Sequence, residues 1–274
     1  MIYLLPKMVA AGSKDVIDDW SIVVDATDDY ESKVASMAVE DCDRLINSIY
    51  DYIRATFQIN AALRYTKLDK NDSESINLAL QVIKERPAGM EAYFTVAWDN
   101  AYASLDEDNK SLLDDLKQYE PEYYDRYVEL ILKARGAYQY KYHMQMLDNL
   151  SQKNSDRGLM AQGRSRRHPR RFVIGTRLLE SLVQIMVLDV QPDKFNTKTL
   201  SIEELIETLR NRYGLIINGL TEDRFKDANL STHLAFKDNV NAFKLKLRQI
   251  GFYNDLSDAY ILQKIRPRYQ VASN

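Results

Sequence analysis

The stretch KVASMAVEDCDRLINSIYDYIRATFQINAALRY, residues 33–65, decides the fold class. Its apolar side chains recur every three or four positions, and none of these intervals is broken by glycine or proline. This spacing places them along one side of an α-helix. The stripe comprises Val34, Ala38, Cys42, Leu45, Ile49, Tyr52, Thr56 and Ile59. We therefore predict one long amphipathic helix from Ser32 to about Tyr65.

Similar patterns continue on the C-terminal side of this helix. The sequence NDSES, residues 71–75, offers helix caps, and Pro87 would end the helix that follows. Pro121 suits the first turn of another helix, which would extend to about Leu150. Two more helices are predicted between them, over Met90–Leu105 and from Asp106 onward. The first half of the chain thus predicts an α-helical bundle with short connections.

The composition is consistent with a mainly α protein that contains two modules. The 274 residues include only nine glycines and six prolines, so tight turns are few. The single cysteine, Cys42, excludes an internal disulfide and favours a reducing, cytoplasmic location. No segment has the length and apolarity of a membrane span. The net charge of −3 divides unevenly, into −10 for residues 1–155 and +7 for residues 156–274.

The stretch GRSRRHPRRF, residues 163–172, contains five arginines and is here called the arginine block. It lies in or beside a polar segment without hydrophobic periodicity, which indicates a linker. We therefore predict an acidic helical domain over 1–155, a basic linker over 156–171 and a second domain over 172–274. The five arginines are Arg164, Arg166, Arg167, Arg170 and Arg171.

The second domain starts with an apolar segment, about 172–190, that predicts a central buried helix. A helix with a Ser201–Glu204 capping box and a Gly214 stop follows, and then a short strand. A long helix, Thr232–Ile250, precedes a predicted hairpin with strands Gly251–Tyr253 and Tyr260–Ile265. This order resembles that of the winged helix-turn-helix superfamily over residues 172–268.

The resemblance implies that the last helix enters a DNA groove. Independently, its residues Lys237, Asn241, Lys244 and Arg248 cluster on one side, away from the predicted buried side of Phe236, Val240, Phe243, Leu247 and Ile250. Such a stripe suits phosphate contact and reading of base edges, and it is equally typical of an ordinary solvated helix face. The predicted wing adds Lys264, Arg266 and Arg268.

Three interpretations of the arginine block remain open. Guanidinium groups match phosphate oxygens, which favours a grip on nucleic acid, and the absence of aromatic residues favours its backbone over its bases. The block could instead bind an acidic protein surface, including the acidic N-terminal half of this chain or of another copy. It could also be a solvated linker.

Tyrosines on the helix that ends near Leu150 offer a second candidate surface. Tyr124, Tyr127, Tyr138 and Tyr142 lie on roughly one side. They would form either a packing face of the bundle or a docking face for a partner protein, because tyrosine is enriched at interfaces.

Catalytic motifs are absent from the sequence. No phosphate-binding or dinucleotide-binding glycine motif is present, and the three histidines, His143, His168 and His233, have no metal-ligand neighbours at helical spacing. Asp25, Glu31 and Lys33 could form a nuclease-like set, but nuclease sets of this kind lie on adjoining strands. We predict no enzyme, no metal and no cofactor.

The sequence therefore favours a non-enzymatic nucleic-acid-binding subunit of a larger assembly, with duplex DNA as the preferred ligand. The chain also resembles uncharacterised proteins of bacterial phage-defence loci, which implies a place in a defence system. The alternative is a scaffolding subunit whose winged helix and arginine block bind acidic protein surfaces, either on a partner or through self-association.

Overall fold

A computed structural model describes residues 1–105, 107–114, 119–165, 167–191, 194–253 and 264–265 of the chain. The protein is mainly helical, as predicted. The helices are α1 (Leu4–Ala11), α2 (Lys33–Thr66), α3 (Ser73–Glu85), α4 (Ala88–Ala103), α5 (Glu107–Asp114), α6 (Tyr123–Leu150), α7 (Thr176–Met186), α8 (Ile202–Tyr213) and α9 (Leu230–Gln249). The short strands are β1 (Ile22–Val23), β2 (Met160–Ala161), β3 (Arg171–Phe172), β4 (Leu188–Gln191), β5 (Lys194–Thr197), β6 (Leu200–Ser201), β7 (Leu215–Ile216) and β8 (Lys264–Ile265).

Local signals fix the ends of several helices where the sequence predicts them. Asp72 caps α3 by accepting hydrogen bonds from the Glu74 and Ser75 backbone N–H groups. Ser201 and Glu204 form the predicted capping box at the start of α8. Gly214 ends α8 with a φ of 68°, in the left-handed region that favours glycine. These helix ends are confirmed because they depend on neighbouring residues only.

The chain divides into two compact units whose boundaries differ from the predicted domains. The first unit comprises Met1–Asp18 and Leu45–Met146, and the second comprises Asp19–Arg44 and Leu147–Asn274. The segment Asp19–Arg44, here called the acidic segment, is therefore part of the second unit, although it was expected in the first domain. Residues 156–171, expected to form a linker, also belong to the second unit.

The first unit is a helical bundle with an aromatic centre. Phe94 of α4 packs edge-on against Tyr124 of α6, with 5.0 Å between the ring centroids. Tyr124 donates a hydrogen bond from its hydroxyl to the Gln58 carbonyl of α2, at 2.8 Å. Burial raises the pKa of Tyr124 above its ordinary value, while the nearby Arg86 acts in the opposite direction. The buried aromatic rings thus hold α2, α4 and α6 together.

The second unit combines helices with short strands that pair over long sequence distances. β1 pairs in parallel with β7, Ile22 with Leu215 and Val23 with Ile216. A parallel bridge joins Asp25 to Val173, and β2 pairs antiparallel with β3. Buried side chains from α7, α8 and α9 fill the core around these strands. They include Leu179, Val183, Leu205, Leu209, Phe243 and Leu247.

Two predicted elements of the second unit are wrong. Helix α7 covers only residues 176–186 of the apolar segment 172–190, because Phe172 forms part of β3 and Leu188 begins the hairpin β4–β5. Gly251–Tyr253 is not a strand, and Ile265 pairs with Leu200 of β6 instead. Residues 254–263, which contain the predicted wing turn, lie outside the described residues. The winged helix-turn-helix resemblance stays a prediction.

Candidate functional site

The arginine block is divided between the interior and the surface of the second unit. Arg171 lies in β3 with only 3% of its surface exposed, and its Nε donates to Asp25 Oδ2 at 2.8 Å. Asp25 is fully buried and lies just after β1, so the ion pair joins the acidic segment to the block. The ring of Tyr30 stacks on the guanidinium at 3.7 Å. Arg171 is therefore not available for the phosphate contact predicted for it.

The carboxylate of Asp25 is held from several directions. Its Oδ1 accepts hydrogen bonds from the Thr27 backbone N–H at 2.8 Å and from the Thr27 hydroxyl at 2.6 Å. Burial acts to lower the pKa of Arg171, but hydrogen bonds with Tyr30 and Asp25 raise it above its usual range. The Nη1 atom of Arg171 is buried without a hydrogen-bond partner. Such a pair is costly to desolvate, and it depends on both partners being present.

Arg170 forms a second contact within the unit. Its guanidinium donates to Asp148 Oδ2 at 2.9 Å, near the end of α6, and Lys153 pairs with the same carboxylate. Burial raises the pKa of Asp148, but the hydrogen bonds from Lys153 and Arg170 outweigh it and lower this pKa below its ordinary value. Arg170 thus fixes the block to α6.

The remaining described arginines of the block, Arg164 and Arg167, are exposed. They lie on a turn over residues 163–168, here called the arginine turn, whose ends join through the Gly163 N–H and the His168 carbonyl at 3.1 Å. The ring of His168 packs on Tyr30 at 4.3 Å, beside the buried pair. Arg166 lies outside the described residues. The described arginines of the block belong to the second unit.

Three further ion pairs join the acidic segment to the C-terminal part of the second unit. Arg224 grips Asp41 with two bonds of 2.8 Å. The other pairs are Lys246 with Asp28, at 2.9 Å, and Arg210 with Asp19, at 3.2 Å. Sequence reasoning did not identify these pairs, because their members are more than 180 positions apart in the chain.

The acidic and basic parts of the sequence, whose charges are so uneven, belong largely to one unit, where these ion pairs join them. The acidic segment carries eight acidic and two basic residues, and it belongs to the unit that also holds the basic C-terminal half. The second unit consequently has a net charge of +1 and the first unit −4. Within the arginine block, Arg171 pairs with Asp25 of the acidic segment.

Helix α9 presents the predicted polar stripe to solvent. Lys237, Asn241 and Arg248 are exposed, and Lys244 is half-buried. Arg248 lies over the ring of Tyr253, 5.2 Å from its centroid. The opposite side of α9 is buried, as predicted. Its predicted members Phe236, Phe243, Leu247 and Ile250 are buried and Val240 is half-buried.

The buried side of α9 also contains polar residues that the sequence did not reveal. Asn239 is fully buried, donates to the carbonyls of Val24 and Ile217 at 2.9 Å each, and accepts from the Ala26 N–H at 2.8 Å. The sequence alone does not distinguish a buried asparagine in a helix from one that is exposed to solvent. Asn239 locks α9 to the ends of both parallel strands.

Of the predicted wing residues, the structure describes the backbone of Lys264. Lys264 lies in β8, paired with Ser201 of β6. Arg266 and Arg268 lie outside the described residues. The predicted phosphate contacts that the structure describes at the surface are thus those of the arginine turn and of α9.

The nuclease-like set does not come together. Asp25 is engaged by Arg171, whereas Lys33 donates to Asn229 at 3.1 Å and to Ser231 at 2.7 Å, at the start of α9. Glu31 is exposed. Among the residues that the structure describes, no group of three or more His, Cys, Asp or Glu side chains could hold a metal ion.

A cleft of about 810 Å³ opens on the second unit beside α8. Its lining includes Ile206 and Val240, together with Arg210 and Arg224, which are already paired with carboxylates. Its acidic lining residues are Asp19, Glu203, Glu207, Glu222 and Asp223. The excess of carboxylates over guanidinium groups makes this cleft unsuitable for phosphate.

The tyrosines of α6 separate into a buried and an exposed group. Tyr124 and Tyr127 are buried in the bundle, which confirms the packing interpretation for them. Tyr138 and Tyr142 are 61% and 50% exposed, and their hydroxyls share a hydrogen bond of 2.9 Å. Met146, one turn further on, is also half exposed. These three side chains form the α6 face.

Fold and site together define a class, a mainly helical protein of two compact units that has no metal cluster in its described part. The chain belongs to the family described as methylation-associated defense system protein MAD7, whose sequence model matches residues 1–269. Searches of curated proteins and of solved structures gave no match. No helix in the described ranges combines the length and apolarity needed to cross a membrane.

Proposed function

We propose that the chain is a non-enzymatic subunit that assembles with other proteins of a methylation-associated defense system. The observation that carries this proposal is the exposed α6 face in the first unit. Tyr138, Tyr142 and Met146 follow one another at four-residue intervals, and more than a third of each side chain's surface is in solvent. Tyrosine and methionine are enriched at protein interfaces, which supports a partner protein there.

The internal neutralisation of charge supports a protein partner over a polyanion. Arg170, Arg171 and Lys246 bind carboxylates of the same unit, so they contribute little field to attract phosphate. A cytoplasmic location remains part of this proposal.

Co-purification tests the proposal directly. The full chain would be tagged, co-expressed with the other proteins of its defense system, and examined by size-exclusion chromatography with light scattering. We expect a mass well above the 31.8 kDa of the single chain. Tyr138→Ser with Tyr142→Ser should shift the chain towards 31.8 kDa, because the contact loses its aromatic anchors.

The matched control is Tyr119→Ser, which removes an exposed tyrosine of the first unit away from the α6 face. This variant should co-purify like the wild type. A wild-type chain that elutes alone from cells in which the system still protects against phage would contradict the proposal.

A second candidate function is the binding of duplex DNA. It is supported by the exposure of Arg164 and Arg167 on the arginine turn and of Lys237, Asn241 and Arg248 on α9. The winged helix-turn-helix resemblance points in the same direction. The buried Arg171 and the paired Arg170 are excluded from this candidate.

The salt dependence of binding tests this candidate. Each phosphate contact contributes about 0.9 to the slope of log K against log salt, so Arg164→Gln with Arg167→Gln should flatten the slope by up to about 1.8. Fluorescence anisotropy with duplex DNA and with RNA of the same sequence would measure it. A wild-type chain without affinity for either nucleic acid at low salt would eliminate the candidate.

A further inference from the structure

Helix α9 exposes leucines as well as cations. Leu230, Leu234 and Leu245 are 74%, 51% and 53% exposed. The core of the second unit uses the other side of α9, where Phe236 and Phe243 are fully buried. Soluble proteins seldom expose several large apolar side chains together on one helix unless the surface has a binding role.

The leucines and the polar residues share one stripe. Leu230, Leu234, Lys237, Asn241, Leu245 and Arg248 follow at intervals of three or four residues, which places them on one side of the helix. At 1.5 Å per residue the stripe is roughly 27 Å long. Its length and periodicity match those of a surface that packs along a second helix.

Duplex DNA fits this stripe less well than a protein does. Leucine offers no hydrogen bond to a phosphate or to a base edge, and its use in a major groove is limited to apolar contact with thymine methyl groups. Three leucines among the cations would therefore lie against a polar, hydrated surface. A partner helix with an apolar face and charged flanks would contact the leucines with its apolar side chains and the cations with its charged ones.

We propose that this α9 stripe binds an amphipathic helix with acidic flanks, supplied by another protein of the defense system. Leucines of that helix would cover Leu230, Leu234 and Leu245, and its carboxylates would face Lys237 and Arg248. Asn241 lies between the apolar residues and sets the register, as a polar residue in a helix–helix seam does. This inference rests on the proposed assembly function and names a second contact, distinct from the α6 face.

A synthetic peptide provides the test. The probe is a helix of about three heptads with leucines at the seam positions and glutamates at the flanking positions. A companion peptide carries lysines in place of the glutamates. Binding of each labelled peptide to the full chain would be measured by fluorescence anisotropy. We expect the acidic peptide to bind the wild type and the lysine peptide to bind at least about tenfold more weakly.

Three variants separate the contributions of the stripe. Leu234→Ser with Leu245→Ser should weaken the acidic peptide about tenfold or more, since both leucines lose their burial. Lys237→Glu should weaken the acidic peptide and strengthen the lysine peptide. Asn241→Leu should strengthen both, because it extends the apolar seam. Leu78→Ser, on an equally exposed leucine of α3, is the matched control and should change nothing.

The inference would be wrong if the acidic peptide did not bind, or if both peptides bound equally well. It would also be wrong if duplex DNA displaced the peptide and Asn241→Leu bound DNA more weakly. The assembly proposal is judged separately, because a complex held by the α6 face would persist in Leu234→Ser with Leu245→Ser.

Discussion

Arg171 and Asp25 are both buried. The free-energy cost of burying either charge therefore depends on the presence of the other. A buried guanidinium and a buried carboxylate lose most of their hydration, and their mutual attraction offsets this loss only while both are present. Removal of one partner leaves an uncompensated charge in the core. Substitution of Arg171 should therefore affect stability much more than substitution of the exposed arginines a few positions away.

We expect Arg171→Gln to lower the free energy of unfolding of the second unit by about 3–5 kcal/mol. Trp20 lies in this unit and Trp98, the other tryptophan, in the first. Guanidinium unfolding followed by Trp20 fluorescence in a Trp98→Phe background would measure the change. Arg164→Gln, the exposed control, should alter stability by less than about 0.5 kcal/mol. Equal effects of the two variants would show that the ion pair is not buried in solution.

Cys42 gives a second measurement at the scale of single residues. It is fully buried in the second unit, and desolvation, with a smaller contribution from Asp43, raises its thiol pKa to about 12. Because the thiolate is the reactive form, Cys42 should not react with an aromatic disulfide reagent at pH 8 in the folded chain. Reaction should appear only as the unit unfolds, and Arg171→Gln should accelerate it. Rapid labelling of the folded wild type would contradict the buried position.

At the scale of elements, the helices and the short strand after Gly214 could be predicted, but the pairing of the strands could not. Periodicity and capping residues along a few turns were enough for α2, α3, α8 and α9. The strands of the second unit contain two to four residues, and β1 pairs with β7 about 190 positions away. No local pattern in such a short strand identifies its partner. A long sequence separation also prevented the prediction of the Asp25–Arg171 pair, whose members are 146 positions apart.

The capping box of α8 allows a prediction at this scale. The Ser201 hydroxyl accepts from the Glu204 N–H at 3.0 Å, and Glu204 accepts in return from the Ser201 N–H at 2.6 Å. Ser201→Ala should destabilise the second unit by about 1 kcal/mol, measured by the same Trp20 signal. Ser201→Asp should retain most of the stability, because aspartate also caps helices. A full loss in both variants would indicate that another contact of Ser201, with β8, matters more.

At the scale of the whole molecule, many charged residues form ion pairs inside the second unit, and others lie at the surface. An acidic N-terminal half and a basic C-terminal half indicated two modules with different partners. The compact units instead place the acidic segment with the basic half, joined by a parallel strand pair and several ion pairs. Among the described arginines of the block, Arg170 and Arg171 form ion pairs within this unit. What remains for a partner is the α6 face, the arginine turn and the α9 stripe.

A cut in the arginine turn tests this connection. Trypsin should cleave first at Arg164 or Arg167, which are exposed on a turn. The two pieces should still elute together under native conditions, because β1, Asp25 and Asp41 of the N-terminal piece remain bound to the C-terminal piece. Residues 172–274 expressed alone should not fold, since β7 would lack its strand partner, and Asn239 would lack its contacts with the backbone of Val24 and Ala26.

Circular dichroism and gel filtration of that fragment would measure the outcome. Addition of a peptide covering 19–44 should restore helical signal and a compact elution volume for the wild-type sequence, and not for a peptide carrying Asp41→Ala. This change removes the carboxylate that binds Arg224, which the fragment retains. Independent folding of 172–274, or separation of the trypsin pieces without denaturant, would show that the acidic segment is dispensable and that the domain boundaries predicted from sequence are correct.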